Sequence, residues 1–388
     1  MQPLQGITVV ELSSYFAVPS CGRVLATQGA RVIKVEPPRG DVQRYWGKPF
    51  GIPCSDEENM LFVTINAGKE FVSLDLREPG DMEKFHKLLS QADVFLTNNR
   101  MKALKKLGLD YDSLKEKYPK LVCATFSGYG DKGALKDAPG FDLVALFAET
   151  GFAKGMMIDT DVSYPVGAAY GFGDTACGTM LAGAIGTALF RRERTGKGGY
   201  VTSSLYGSGV WLASSLSALN FNGYEFPRTR AMCPPTSSPY KTRDGQWVSI
   251  TINDYDRYWA PLCKVVDCEE LIDDPRYNSK EAIHDPKNKK ECVARLEQGF
   301  AKFDADDLVK RLREADIVVT RLADFKDNHT SKQALDNAYM APFTYGNGHE
   351  VTMGQPPIRF DGMDEPTAGQ AKPIGADNAK VFSDFGIE

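Results

Sequence analysis

Apolar positions in the first half of the chain switch repeatedly between short continuous runs and a three-to-four-residue spacing, which reads as strands interleaved with helices. Residues 7–12 (Ile-Thr-Val-Val-Glu-Leu) form one run, 19–28 carry helical spacing, and 31–36 (Arg-Val-Ile-Lys-Val-Glu) form a second run. This strand-helix-strand unit predicts a parallel sheet with helices packed on it, an α/β fold. The pattern repeats, with strands predicted at 71–76, 93–97 and 120–126 and helices at 81–91 and 109–118. A glycine-rich passage at 127–133 leads through Pro139-Gly-Phe-Asp142 into a helical run ending at Glu149. The most helix-like segment is 174–192, rich in Ala and Gly. Its basic last turn suits the helix dipole, and Gly196-Lys-Gly198 is its stop signal. A strand at 199–203 and an apolar helix at 205–219 follow.

Composition then shifts. Residues 227–239 are rich in Pro, Ser, Thr and Arg and read as a linker, followed by a hairpin turning at Asp244-Gly245. Residues 252–315 are charged and mainly helical in pattern, and the tail from about 333 has strand and turn signals. The expected division is a large first domain at 1–225, a small α+β domain at 226–330, and a segment at 331–388 that returns to the first.

Charge and residue usage narrow the chemistry. A net charge of -5 gives no general attraction to nucleic acid or an anionic membrane. No apolar run reaches the ~18 residues of a membrane span, and the opening Met1-Gln-Pro-Leu-Gln-Gly-Ile is unlike a secretion signal, so a cytoplasmic protein is expected. Eight cysteines form no CxxC pair and read as buried, reduced thiols. The four histidines stand far apart without metal-ligand spacing, so no metal site is predicted and acid-base or nucleophilic work falls to carboxylates. Glu36 ends the second strand, where an acid would meet a ribose. The loop Ser13-Ser-Tyr-Phe-Ala-Val-Pro19, however, lacks the glycines that let backbone approach a pyrophosphate, and no P-loop is present.

That leaves Gly171-Phe-Gly-Asp174. Asp is a favoured helix N-cap, and Asp174 directly precedes the helical run. The same carboxylate, flanked by glycines at 171, 173, 178, 183 and 186, is open to close approach by a substrate or another backbone. A carboxylate is also a competent nucleophile toward an activated acyl group. Both roles are compatible with the residues.

An ordered set of motifs resembles the class III CoA-transferase family. It comprises Val32-Ile-Lys-Val-Glu36-Pro-Pro, Asn66-Ala-Gly-Lys69 with Ser73-Leu-Asp75-Leu, Ala92-Asp-Val-Phe with Asn98, Leu107-Gly-Leu-Asp110-Tyr, Phe126-Ser-Gly128-Tyr-Gly130, Pro139-Gly-Phe-Asp142, Gly173-Asp174 and Thr195-Gly-Lys-Gly198. The run covers about 5–250 and continues more weakly beyond. The resemblance implies a Rossmann-like large domain, a smaller inserted domain, and a homodimer of two chains threaded as interlocked rings. It also implies that Asp174 attacks an acyl-CoA thioester, with coenzyme A as cosubstrate, a free carboxylic acid as acceptor and no permanently bound cofactor. By motif position, Leu74, Arg77, Asn98, Asn99, Lys106 and Leu107 resemble the family's CoA-lining residues, and Phe16, Ala17, Gly128 and Tyr129 those near the acyl group. For Lys106, an exposed helix face shared with Lys102 and Lys105 is an equal reading.

Departures refine the expectation. Where the formyl-transferring branch has a glutamine in the first loop this chain has Phe16, and where that branch has a glycine run it has Pro234-Pro-Thr-Ser-Ser238. With Tyr15 and Met156-Met157, these point to a larger, less polar acyl group, and the glycine-rich passage looks most like the branch acting on 2-hydroxyacyl and arylacyl thioesters. The related α-methylacyl-CoA racemases place a histidine base where this chain has Phe141, which cannot accept a proton. A racemase, an acyl-CoA hydrolase using the same nucleophile, and a binding module indifferent to Asp174 are the alternatives.

Overall fold

The computed structural model describes residues 2–157, 170–224, 229, 232–363 and 369–388. The chain divides into two compact units, one of Met1–Ala153, Gly167–Ser215 and Asn328–Glu388, the other of Lys154–Val166 and Leu216–Asp327. The first carries β1 (Thr8–Leu12), α1 (Ala17–Thr27), β2 (Arg31–Glu36), α2 (Met60–Asn66), β3 (Glu70–Ser73), α3 (Pro79–Ser90), β4 (Val94–Thr97), α4 (Met101–Leu107), a short α5 (Tyr111–Leu114) and β5 (Val122–Ser127). A π-helical turn (Asp142–Ala148), α6 (Phe152–Gly155), α7 (Phe172–Thr195), β6 (Gly199–Ser204), α8 (Leu205–Leu212) and α9 (Ser214–Phe221) follow.

The six strands form one parallel sheet in the order β3-β2-β1-β4-β5-β6. In β1 to β5 the Val, Ile, Leu and Phe runs are buried on both faces, as a sheet covered by helices on each side requires. Strand order reverses between β1 and β4, so the loops leaving their carboxyl ends diverge and open a crevice. In register, Leu12 lies opposite Thr97, which places Ser14-Tyr15 and Asn98-Asn99 together at that crevice.

α1 and α7 pack backbone to backbone. A Cβ on Gly178 would sit 2.3 Å from the Ala17 carbonyl oxygen and 3.0 Å from the Cys21 nitrogen, so only glycine permits the crossing. This fixes the start of α7 against the β1–α1 loop. Gly183 and Gly186 face open space, so they do not clear room around Asp174.

The tail holds α13 (Lys332–Asp336), the antiparallel pair β10 (Met340–Thr344) and β11 (Glu350–Gly354), and α14 (Asn378–Asp384). It returns to the edge of the parallel sheet. Asp377 Oδ2 accepts from the Phe71 N–H at 2.8 Å and Asn378 Oδ1 from Ser73 N–H at 2.9 Å, satisfying donors that the edge strand β3 would otherwise expose. In the second unit β7 (Pro239–Lys241) and β8 (Trp247–Thr251) form the expected hairpin, and β9 (Val318–Arg321) adds a third strand. α10 (Tyr255–Val265), α11 (Pro286–Phe300) and α12 (Ala305–Glu314) supply the rest of its core. The expected linker falls partly outside the described residues. The predicted helix at 109–118 shrinks to α5, and that at 205–219 divides at Ala213.

Candidate active site

A cavity of about 600 Å³ lies at the carboxyl ends of β1, β4 and β5, a size suited to a small-molecule ligand. Its walls come from the loops the topology brings together: Ser14, Tyr15 and Ala17 after β1, Asn98 to Lys102 and Lys105 after β4, Ser127 and Gly128 after β5, Lys136 to Phe141 before the π-helical turn, and Asp174 from α7.

Asp174 does not cap the helix as its position had predicted. Gly171, with φ of 69°, is the N-cap, and Asp174 lies inside the first turn. Gly171 is required twice, for the left-handed backbone and because the Phe16 ring fills the space a Cβ would need, 2.7 Å away. The Asp174 carboxyl keeps the benefit of the helix dipole without being spent on a cap. Burial, with a smaller contribution from the Asp142 charge, pushes its pKa up to about 7. Asp142 is buried against Gly173: its Oδ1 accepts from Leu143 N–H at 2.8 Å, and among the described residues its Oδ2 has no hydrogen-bond partner. Burial and the neighbouring Asp142 charge both oppose ionisation of Asp174, which favours a basic, nucleophilic carboxylate there.

The loop that carries Tyr15 is held by buried and partly buried polar groups. Asn98 takes both backbone groups of Ser14, accepting from its N–H at 3.1 Å and donating to its carbonyl at 2.7 Å. Tyr15, at φ of 64°, donates its N–H to Asp41 Oδ1 at 3.2 Å, and Asp41 pairs with the fully buried Lys34 at 3.0 Å. The Tyr15 ring meets Phe141 edge-on at 5.3 Å. Glu36, the one dinucleotide-like feature, has both oxygens occupied by Arg44 at 2.9 and 2.7 Å, so it presents no acid to a ribose.

Of the residues singled out from sequence, Ala17, Asn98, Asn99, Gly128 and Asp174 line the cavity. Phe16 and Tyr129 sit one layer back, Phe16 under Tyr170 and Tyr129 against Gly140 and Tyr206. Leu74 is buried in the core with Leu107 packed, partly buried, against it, Arg77 is exposed and paired with Asp75 at 2.6 Å, and Lys106 is exposed on α4. The cations of the cavity wall are Arg100, Lys102, Lys105 and Lys136. Helical spacing does not make this distinction, because Lys105 and Lys106 stand at i+3 and i+4 from Lys102; the packed loops place only Lys102 and Lys105 in the wall. Asp142 and Tyr15 acquire their roles only from packing. Among the described residues no group of acidic, His or Cys side chains is placed to hold a metal ion, and no helix is long and apolar enough to cross a membrane.

The model of CoA-transferase family III matches residues 4–378. The chain belongs to CoA-transferase family III. It is a class III CoA-transferase. Two curated relatives match along nearly the whole length. It is 34% identical over 388 residues to the (R)-2-hydroxy-4-methylpentanoate CoA-transferase of Clostridioides difficile, covering 99% of this chain and 96% of that one. It is 35% identical over 387 residues to the cinnamoyl-CoA:phenyllactate CoA-transferase of Clostridium sporogenes, covering 98% and 93%. Among solved structures, a CAIB/BAIF family protein from Brucella suis superposes with a TM-score of 0.85 at 26% identity, covering 99% of each chain. Rv3272 of Mycobacterium tuberculosis superposes with a TM-score of 0.84 at 26% identity, covering 98% of each.

Proposed function

We propose that this CoA-transferase moves CoA between 2-hydroxyacyl or arylacyl groups with Asp174 as the covalent nucleophile. The observation that carries the reading is a partly buried, basic carboxylate in a cavity that has aromatic walls and a set of cationic side chains. The thioester carbonyl of the donor lies beside Asp174. The carboxylate attacks, the C–S bond breaks, and CoA leaves as thiolate, giving an aspartyl-acyl anhydride. The thiolate attacks the aspartyl carbonyl, forming an aspartyl-CoA thioester and releasing the donor acid. The acceptor carboxylate repeats the sequence in reverse and leaves as the new thioester. Each exchange is between acyl groups of similar activation, so no outside energy source is required. Backbone N–H groups at Gly128 are candidates for stabilising the oxyanions. Arg100, Lys102, Lys105 and Lys136 are candidates for the CoA phosphates, with Asn98 and Asn99 beside them.

The names of the two relatives, together with Tyr15 and Phe141 on the wall, support the acyl class. Phe141, at the position where the racemases place their histidine base, stands in the wall and cannot accept a proton. The active form is read as a homodimer of interlocked chains in the cytoplasm. Phe190 and Trp211, 64% and 69% exposed, and eight cysteines without disulfides support those two readings. A monomer mass in sedimentation would refute the first.

The direct test incubates the purified protein with arylacyl-CoA or 2-hydroxyacyl-CoA donors and free acids, and follows thioesters by mass spectrometry. New thioesters matching the added acid are expected; free CoA without acceptor would show hydrolysis instead. A second expectation concerns pH. Attack needs the ionised Asp174, so kcat/KM should fall as pH drops through about 7. Asp142→Asn removes the smaller of the two raising influences. The acidic limb should therefore move to lower pH yet stay above that of an ordinary carboxylate, because burial remains. A limb unchanged in Asp142→Asn would mean that the two carboxylates do not communicate.

A further inference from the structure

Two aromatic rings share the cavity wall with the nucleophile: Tyr15, Phe141 and Asp174 all line it. Phe141 directly precedes Asp142, whose side chain lies against Gly173, the residue before Asp174. Ring and carboxylate therefore enter the cavity from adjoining backbone. The Tyr15 ring meets Phe141 nearly at right angles, with centroids 5.3 Å apart and planes at 79°, and Trp46 backs Tyr15 at 6.3 Å. Rings crossed in this way present an edge and a face, the two surfaces against which a further ring packs. Phe141 is half exposed and Tyr15 partly so, which leaves such surface for a ligand. The backbone under each ring is pinned. A Cβ on Gly140 would lie 2.8 Å from the Gly128 Cα, so two glycines in contact hold the segment before Phe141 against the loop after β5. The Phe141 carbonyl accepts from the N–H groups of Val144 at 3.0 Å and Ala145 at 2.8 Å. Tyr15 is tied to Asp41 through its N–H, and Ser14 before it to Asn98.

We infer that Tyr15 and Phe141 are specificity-determining residues that favour an aryl side chain over a branched alkyl chain on the transferred 2-hydroxyacyl group, an inference that rests on the 2-hydroxyacyl reading proposed above. The thioester carbon has to reach Asp174, so side chains next to that carboxylate meet either the acyl tail or the thiol end of CoA. The thiol end carries amides, which want hydrogen-bond partners, and the Phe141 ring has none to give. An apolar tail suits the ring better. Both a phenyl and an isopropyl group gain from leaving water there. Only the phenyl adds the edge-to-face attraction of one ring for another. Because the backbone on both sides is held, the wall does not re-form around a rounder group, and the pair sorts tails by shape.

The test is a competition in full-length protein. 2-Hydroxy-3-phenylpropanoate and 2-hydroxy-4-methylpentanoate, which share the reacting end and differ as phenyl against isopropyl, are mixed at equal concentration in one configuration and then in the other. An arylacyl-CoA donor is added, and the two new thioesters are counted by mass spectrometry at early times. Both acids compete for the same CoA-loaded enzyme, so the product ratio is the ratio of their kcat/KM values. Neither the donor nor the fraction of folded protein alters it. Wild type should favour the phenyl acid by at least about fivefold, the size of one aromatic contact. Phe141→Leu and Tyr15→Leu, which keep an apolar wall and lose a ring, should each lower the ratio about fivefold, and Phe141→Tyr should hold it within about twofold. Phe141→Met replaces Phe141→Leu where the latter does not fold. A wild-type ratio of one or less, or an unchanged ratio in an active variant that lacks either ring, would overturn the inference and leave the 2-hydroxyacyl reading standing. Wild type that loads neither acid in either configuration would overturn that reading together with the inference.

Discussion

Asp174→Ala is expected to lower CoA transfer at least about a thousandfold, as loss of a covalent nucleophile does elsewhere, while the protein folds as well as before. The second half of that statement follows from the geometry. Asp174 sits in the first turn of α7, but Gly171 provides the cap, and among the described residues no side-chain or backbone donor is bonded to the Asp174 carboxylate. Its raised pKa means that ionising it in the folded state is unfavourable, chiefly through burial and then through Asp142. The folded carboxyl therefore binds a proton up to about pH 7 that the unfolded chain gives up near its ordinary value. Stability conferred relative to the ionised form declines as pH rises across that window. Removing the group at pH 8 should leave the melting temperature unchanged or slightly higher. Wild type incubated with acyl-CoA and no acceptor should show a CoA or acyl adduct on the peptide containing Asp174, and the Ala variant should show none. Transfer within about tenfold of wild type in a well-folded Asp174→Ala protein would remove the residue from the mechanism.

How far the sequence reached is clearest at Asp174 itself. Its location, before a small-residue helix and between Gly173 and Gly178, was visible. Its role as cap was misread, because an Asp before a helical pattern looks alike at the cap and inside the first turn, and the boundary depended on Gly171 adopting a left-handed backbone. The alternating strands predicted the parallel sheet, because both-face burial leaves continuous Val and Ile runs. α2 had no such run long enough to announce it. The cavity's cations were legible only as a cluster at Lys102, Lys105 and Lys106, and only packing decides which two line the wall. Asp142 was visible as the end of the Pro139-Gly-Phe-Asp142 motif, but its relation to Asp174 exists only once the π-helical turn and the start of α7 pack together.

Replacing Lys34 by Met is expected to cost about 3–5 kcal/mol of unfolding free energy, the range for removing one partner of a buried ion pair. Lys34 is fully buried on β2 between two carboxylates, Asp41 at 3.0 Å and Glu11 at 3.2 Å, and it also donates to the Ser13 carbonyl at 3.2 Å. Burial alone would raise the pKa of Glu11, yet Lys69 and Lys34 together hold it below its ordinary value, so the cluster is ionised at neutral pH. Met would fill the volume without the charge. Glu11 would keep Lys69 at 2.8 Å, so the group left uncompensated is Asp41. Asp41 is also the acceptor for the Tyr15 N–H and for the Gln43 N–H, so the loss should spread to the loop that carries Tyr15. Tyr15 holds a left-handed backbone that a non-glycine residue adopts at a cost of about 1–2 kcal/mol. With Asp41 unpaired, that conformation loses its support, and kcat/KM should fall along with stability. Chemical denaturation of Lys34→Met, Asp41→Asn and the double variant separates the pair from the surrounding packing. The double variant should lose at least about 1 kcal/mol less than the sum of the two single losses, because the second substitution removes the charge that the first left buried. Strict additivity would mean that Lys34 stabilises the sheet through Glu11 and Ser13, and that the Tyr15 loop does not depend on it.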